Sequence, residues 1–546
     1  MVLVTRIVFA LSLAWLHLVS SSTRAADNAG KGRPTSDRPN FLVILADDLG
    51  FSDLGCYGGE IQTPNLDRLA RRGLRFTQFY NTSRCWPTRS ALLTGFYPQQ
   101  IGMDPPTQRL PEWTRLLPHH LKPLGYRSYH VGKWHVPGAR RSVADGGFDR
   151  SYRLEDHDRN FNPTRLIEDD RPLPAIPPGT DYYTSTDFAD VAIRYLREHS
   201  REQTGQPFFL YLAFTVPHFP LQAPAEDVAR YRGRYLAGWD EIRDRRWRRL
   251  RKEGLFSGEL SSREASVIPY WNLAESNLVQ QLGPGEVGRV APWETLNQEQ
   301  RQFQATKMAI HAAMVDRMDR EIGRVLEQVR SMGAWDETLI LFASDNGASA
   351  EQIVRGDGHD TSASSGSART FLCLGPGWST ASNTPFRRHK SWVHEGGVAT
   401  PLIVHWPDGL GRRGGVRQDL GHVIDLVPTL YELAAGRTGT PPMDARAPAF
   451  PGRSLVPALM KGAEVEREFL YFHHDGNRAL RLGNWKLVAG RPQTNRWSLY
   501  DMRLDRTELH DEAARYPERV SAMAARWESL EREYRREAAD GGVGQQ

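Results

Sequence analysis

Cysteine is scarce in this chain: Cys56, Cys85 and Cys373 are the only three among 546 residues. That excludes a disulfide-stapled scaffold, so a hydrophobic core must hold the fold. If Cys85 is committed to chemistry, Cys56 and Cys373 either pair or stay free. An excess of one charge is also missing. Seventy Lys and Arg face 65 Asp and Glu, a net charge of +5, which gives no bulk electrostatic case for nucleic-acid binding. No internal repeat is apparent. Beyond the N-terminus no apolar run is long enough to cross a bilayer, so no integral membrane segment is expected in the mature chain. The N-terminus itself has Arg6, an apolar run from Ile7 to Val19 broken by Ser12 and His17, and small residues at Thr23 and Ala25. It reads as a signal peptide over 1–25, cleaved after Ala25, which implies export to the periplasm or the cell exterior. Residues 26–38 read as a polar linker.

What is present is a series of short, continuous apolar runs, as strands buried on both faces show. Phe41–Leu45 ends in Asp47-Asp48. The strand through Val131 ends in Gly132-Lys133-Trp134-His135, and Pro207–Phe214 is closed by Pro217-His218. Thr338–Phe342 ends in Asp345-Asn346-Gly347, and Pro401–His405 follows. Open α/β sheets place their sites beyond the carboxyl ends of such strands, so these polar residues gather at one sheet edge. If the chain stays extended, Lys133 and His135 point the same way. Three carboxylates and an amide carbonyl form a hard oxygen donor set that suits Ca²⁺, with Mg²⁺ second, and disfavours Zn²⁺.

Helical periodicity marks Asp187–Arg197 and Gln304–Arg330. The cluster Arg243, Arg245, Arg246, Arg248, Arg249 and Arg251 reads as a solvated helical face. Past Glu464 the pattern changes to short strands, Arg478–Leu482 and Trp485–Val488, and a final helix from Pro517 to Glu537. The expected fold is α/β: a large mixed, mostly parallel sheet flanked by helices over 39–463, then a small antiparallel α+β subdomain over 464–546.

One stretch organises the rest: Cys85-Trp-Pro87-Thr-Arg89-Ser-Ala-Leu-Leu-Thr94-Gly95. Pro fits a first helical turn and Gly a helix exit, which places Cys85 at a helix N-terminus, where free N–H groups favour an anion. Arg89, four residues on, returns to the face of Cys85. A thiol, a helix start and a fixed cation suit a small oxyanion. The sequon Asn81-Thr82-Ser83 lies too close to Cys85 for a glycan and is read as coincidence.

The spacing Cys-x-Pro-x-Arg followed by Thr-Gly resembles the motif of the sulfatase family, in its arylsulfatase branch, over about Pro39 to the C-terminus. The resemblance implies the alkaline-phosphatase-like sulfatase fold and conversion of Cys85 to formylglycine (3-oxoalanine) by a maturation enzyme. It implies a single Ca²⁺ held by Asp47, Asp48, Asp345, Asn346 and the modified Cys85. Arg89, Lys133, His135, His218 and Lys390 match the family's catalytic and sulfate-holding positions. In the scheme so implied, a hydrated aldehyde attacks sulfur, Lys133, Lys390 and Arg89 neutralise charge, His218 protonates the leaving oxygen, and His135 acts as base for sulfate release. The expected substrate is an aryl sulfate or a sulfated carbohydrate. A phosphonate monoester or phosphodiester hydrolase of the same superfamily is the nearer rival, although such enzymes typically carry Asp-His where this chain has Asp345-Asn346. An inactive secreted glycan-binding relative is the more distant one. Specificity is expected in the loops Asp156–Pro178 and Pro224–Trp293, and at His473 and His474.

Overall fold

The structure, a computed structural model, describes residues 38–107, 109–154, 159–411 and 414–540, without the Asp540 side chain. The expected signal peptide, all of the linker but Arg38, and Asp156 lie outside the described residues.

Eleven strands form the main sheet. They are β1 (Asn40–Asp47), β2 (Leu74–Tyr80), β3 (Arg127–Lys133), β4 (Arg150–Leu154), β5 (Leu166–Glu168) and β6 (Arg171–Pro172). They continue with β7 (Phe208–Pro217), β8 (Thr338–Ser344), β9 (Ala399–His405), β10 (Gly415–Arg417) and β11 (Gly421–His422). The order is β10-β2-β9-β8-β1-β7-β3-β4-β5-β6, with β11 also paired to β2. β8, β1, β7, β3 and β4 run parallel, whereas β9 is antiparallel to both β8 and β2. Two antiparallel steps return β2 to the direction of β8, so the C-terminal ends of β1, β2, β3, β7 and β8 share one edge.

Every residue of β1, β7 and β8 is buried. Helices on both faces explain the unbroken apolar runs. The longest, Gln298–Ser331, starts with a reciprocal capping box between Asn297 and Gln300, which satisfies two backbone donors at once. It packs against the helix Thr184–Glu202 and on β7.

A second sheet orders β12 (Phe469–His474), β13 (Asn477–Leu482), β14 (Trp485–Ala489) and β15 (Ser498–Asp501) as an antiparallel meander. The helix Pro517–Asp540 packs on β13 and β14. A buried ion pair ties this sheet to the segment leading into β9: Lys486 of β14 lies 2.9 Å from Glu395, and it also lies 2.8 Å from Glu508, which follows β15.

Of the two outcomes open to Cys56 and Cys373, the structure has the second: both are buried and free. One expectation changes. The arginine helix, Gly238–Lys252, is not wholly solvated: Arg246 is fully buried and Arg243 nearly so, while the Arg245 and Arg248 side chains stay exposed. Residues 243 and 246 share a face at i, i+3 spacing. Arg246 there pairs with Asp53 at 2.7 Å and Glu60 at 2.8 Å.

Candidate active site

The carboxyl edge of the sheet builds the site. Ala46 of β1 is in register with Ser344 of β8, and Asp47 with Pro217 of β7. Asp47, Asp48, Asp345 and His218 therefore leave adjacent strands side by side. β2 delivers the chain through Asn81 to the helix Cys85–Thr94 at the same edge. Arg84 is its N-cap in extended conformation, and Gly95 closes it at φ +80°, its N–H donating to Ala91 O at 2.9 Å. The sequon is structural: Asn81 is fully buried and its Oδ1 accepts from the Ser83 N–H at 2.9 Å.

Glycine is required twice. At Gly132 φ is +116°, and a Cβ would lie 1.9 Å from Ala213 O; at Gly347 a Cβ would lie 1.8 Å from Gly396 O. These close approaches set the neighbouring Lys133 and Asn346. The backbone is strained around them: Asp48, Ser83, His135, Arg388 and Ser391 all have positive φ, a state that surrounding contacts must hold. The left-handed His135 (φ +50°) also overturns its expected placement. β3 stops at Lys133, so a turn and not strand alternation aims the imidazole, 5.9 Å from the Trp86 ring.

Arg89, fully buried, donates from Nε and Nη2 to Asp345 Oδ2 at 2.9 and 2.7 Å, and from Nη1 to Lys133 O at 3.0 Å. Lys133 Nζ donates to Asp47 Oδ2 at 2.5 Å. Lys390 Nζ is 2.9 Å from the Asp48 carboxylate and 3.1 Å from Glu351. His218 Nε2 stands 3.7 Å from Asp48 Oδ2, and its Nδ1 donates to Phe219 O at 2.5 Å. Asn346 Nδ2 donates to Asp48 Oδ1 at 2.6 Å. These contacts join eight of the ten expected residues at the sheet edge, while Cys85 starts the neighbouring helix and His135 lies against Trp86; all ten are buried except the intermediate His135.

Burial pushes Asp47 and Asp345 upward, and the neighbouring charges decide the outcome at each. Lys133, then His218, Arg89 and Lys390, outweigh burial at Asp47 and hold it far below the usual range. At Asp345 burial and the charge of Asp47 win, and its pKa rises. Burial lowers His218 to about 4, with Lys390 adding to the fall. Burial, then Lys133 and Arg89, also take His135 well below its ordinary value. Both imidazoles rest neutral.

Asp47 Oδ1 and Asn346 Oδ1 are buried and accept no hydrogen bond. Each such oxygen costs about 1–3 kcal/mol unless a partner satisfies it. Asp47, Asp48 and His218 also bring donor atoms within 4.8 Å of one another. A hard cation fits this oxygen-rich set.

Several neighbours were not foreseen. Glu351, buried, joins Lys390 to Arg84 Nη2 at 3.2 Å and accepts from Trp271 Nε1 at 2.9 Å. Arg84 Nη1 donates to Ser391 Oγ at 2.7 Å. Arg84 beside Cys85, and an acid six residues beyond Asp345, were the available signals, but either residue type is usually solvated. Of the expected specificity loops, the second supplies Tyr270 and Trp271 to a cavity at this site, and none of 159–178 lines it.

A family model described as Sulfatase matches residues 39–436, and one described as N-sulphoglucosamine sulphohydrolase, C-terminal, matches 387–533. An uncharacterized sulfatase of Schizosaccharomyces pombe is 30% identical over 539 residues, covering 90% of this chain and 93% of that one. The arylsulfatase of Klebsiella aerogenes is 32% identical over 433 residues, 73% of this chain and 87% of its own. Among solved structures, Ps i-CgsB in complex with k-i-k-neocarrahexaose superposes with TM-score 0.62 at 23% identity, covering 90% and 93% of the two chains. The phosphonate monoester hydrolase of Agrobacterium radiobacter reaches TM-score 0.56 at 19% identity, covering 91% and 96%. The two solved structures support the large mixed sheet with its smaller C-terminal partner.

Proposed function

The chain belongs to the sulfatase family and hydrolyses sulfate esters, and from that premise we propose that it works through a formylglycine made from Cys85 and a single Ca²⁺. The observation that carries this reading is the pair of buried, unsatisfied oxygens of Asp47 and Asn346 beside the helix start at Cys85. Asp47, Asp48, Asp345, Asn346 and the modified Cys85 would hold the ion. When bound, the ion supplies charge neutralisation and the aldehyde hydrate supplies the nucleophile.

The chain's own residues then divide the work. Lys133 and Lys390 flank the carboxylates and bind the non-bridging oxygens of the sulfate group. Arg89 directs three N–H bonds to Asp345 and the Lys133 carbonyl, so it sets those groups and lends its charge beneath Cys85. His218 keeps its Nδ1 proton on Phe219 O and turns Nε2 inward. An incoming sulfate anion offsets Lys390 and raises the imidazole toward its protonated form, so that it donates to the leaving oxygen. His135, held neutral, is the base for the second half of the reaction.

The full-length chain also acquires a maturation enzyme as a partner during biogenesis, and residues 1–25 direct it out of the cytoplasm. The N-terminal sequence of exported protein tests the latter, and an N-terminus still at Met1 would refute it. The central test presents one aryl group as a sulfate, a phosphate monoester and a phosphonate monoester, with Ca²⁺ and a co-expressed maturation enzyme. The expected result is preference for the sulfate, an aldehyde at residue 85 by mass spectrometry, and no sustained turnover by Cys85→Ala. Preference for a phosphorus ester would overturn the assignment of Asn346 to sulfate chemistry.

A further inference from the structure

A cavity of about 750 Å³ opens beside the helix start at Cys85. Trp86, Tyr270, Trp271, Ile353 and Val354 make its apolar wall. The Arg84 guanidinium lies 5.3 Å from the ring centroids of both Trp86 and Trp271, and through Glu351 it connects to Lys390. The volume falls within the range of small-molecule pockets.

The polar group that distinguishes the pocket comes from the second sheet. β12 ends in His473 and His474, and both line the cavity. His473 Nδ1 is engaged by Glu531 at 3.2 Å, with its ring 5.2 Å from Trp527. His474 turns to the site, its ring edge-on to Trp86 at 5.6 Å. His474 Nδ1 lies 2.9 Å from Oδ2 of the buried Asp104. The carboxylate oxygen accepts from Nδ1, which leaves Nε2 as the ring nitrogen available to a bound molecule.

We propose that the Asp104–His474 pair is a specificity determinant: His474 Nε2 accepts a hydrogen bond from a hydroxyl on the alcohol half of the substrate. The pocket then selects sulfate esters of hydroxylated rings. The aromatic wall takes the ring face, and His474 reads the hydroxyl beside it. A sugar and a polyhydric phenol share this chemistry. Asp104 acts through His474 as a positioning residue. The inference rests on the sulfate-ester reading above.

The test uses the full-length matured enzyme and two chromogenic esters that differ by one hydroxyl, 4-nitrocatechol sulfate and 4-nitrophenyl sulfate. Glucose 6-sulfate, followed by sulfate release, forms a third arm. The wild type is expected to favour the hydroxylated aryl ester by about tenfold or more in kcat/KM, because a site built for a hydroxyl penalises its absence. His474→Ala is expected to bring that ratio close to one, with the change in KM. His474→Gln, which keeps an acceptor near the Nε2 position, recovers part of the ratio, and Asp104→Asn lowers it by releasing the tautomer. A structural role for the ring would move neither the ratio nor its recovery. His474-dependent release from glucose 6-sulfate assigns sugars; dependence confined to the nitrocatechol ester assigns phenols. A wild-type ratio near one, or equal losses on both esters in His474→Ala, overturns the inference. Absence of sulfate release from every ester by aldehyde-bearing wild type would instead overturn the functional reading beneath it.

Discussion

Arg89 is fully buried yet faces carboxylates of its own site, and that choice has an energetic consequence. Removing it leaves Asp345 beside Asp47 without its nearest counter-charge. Breaking a buried pair from one side costs about 3–5 kcal/mol. Arg89→Met is expected to lose that much in urea unfolding of the metal-free enzyme, and Arg89→Lys most of it, since an ammonium cannot make the paired Nε and Nη2 contacts. Glu351 holds a different balance, between Lys390 and Arg84, and those cations keep it well below the usual carboxylate range against the opposing effect of burial. Glu351→Gln is expected to lower kcat/KM for an aryl sulfate by about tenfold to a hundredfold, the range seen when a partner behind a site residue is removed. An unchanged kcat/KM would mean that Lys390 is placed by Asp48 alone.

At the scale of elements, the loop after β8 depends on how closely it passes another backbone. Gly347→Ala would put a methyl group 1.8 Å from Gly396 O, and neither backbone can yield without moving Asn346. The variant is expected to fold but to bind Ca²⁺ more weakly by titration calorimetry; unaltered affinity would remove Asn346 from the metal set. The arginine helix makes a second such dependence. Burial raises Asp53 and Glu60, but His311 with Arg246 at Asp53, and Arg246 at Glu60, hold both below their usual values. Lowered carboxylates add stability that is present above about pH 4 and is lost as pH falls through that window. The acid limb of the unfolding midpoint should therefore flatten in Arg246→Met, together with a loss of about 3–5 kcal/mol at neutral pH.

For the whole molecule, the site is a junction. The main sheet contributes the proposed metal ligands, and the second sheet contributes His474 and the Lys486 pairs with Glu395 and Glu508. A ligand bound only to the native state stabilises by mass action, about 2.7 kcal/mol at a concentration of one hundred times Kd. Chelation is expected to lower the thermal midpoint and abolish turnover together, and added Ca²⁺ to restore both better than Mg²⁺. A midpoint indifferent to chelation would count against an ion at Asp47, Asp48, Asp345 and Asn346.

The sequence by itself determined the buried strands, because a strand covered on both faces must be largely apolar, as Phe41–Leu45 and Leu339–Phe342 are. It also determined the Cys85 helix, through Pro87 and Gly95, and the gathering of Asp47, Lys133, His218 and Asp345 at strand ends, where parallel topology leaves little choice. Only the tertiary structure decided what those side chains face. Arg89 meets Asp345 across 256 positions of sequence and Asp104 meets His474 across 370, and no local periodicity encodes such pairs. The inward turn of Arg246, the left-handed backbone at His135 and the Glu351 link to Lys390 were hidden for the same reason. Burial and partner choice are properties of packed elements, whereas propensity and spacing are properties of a single segment.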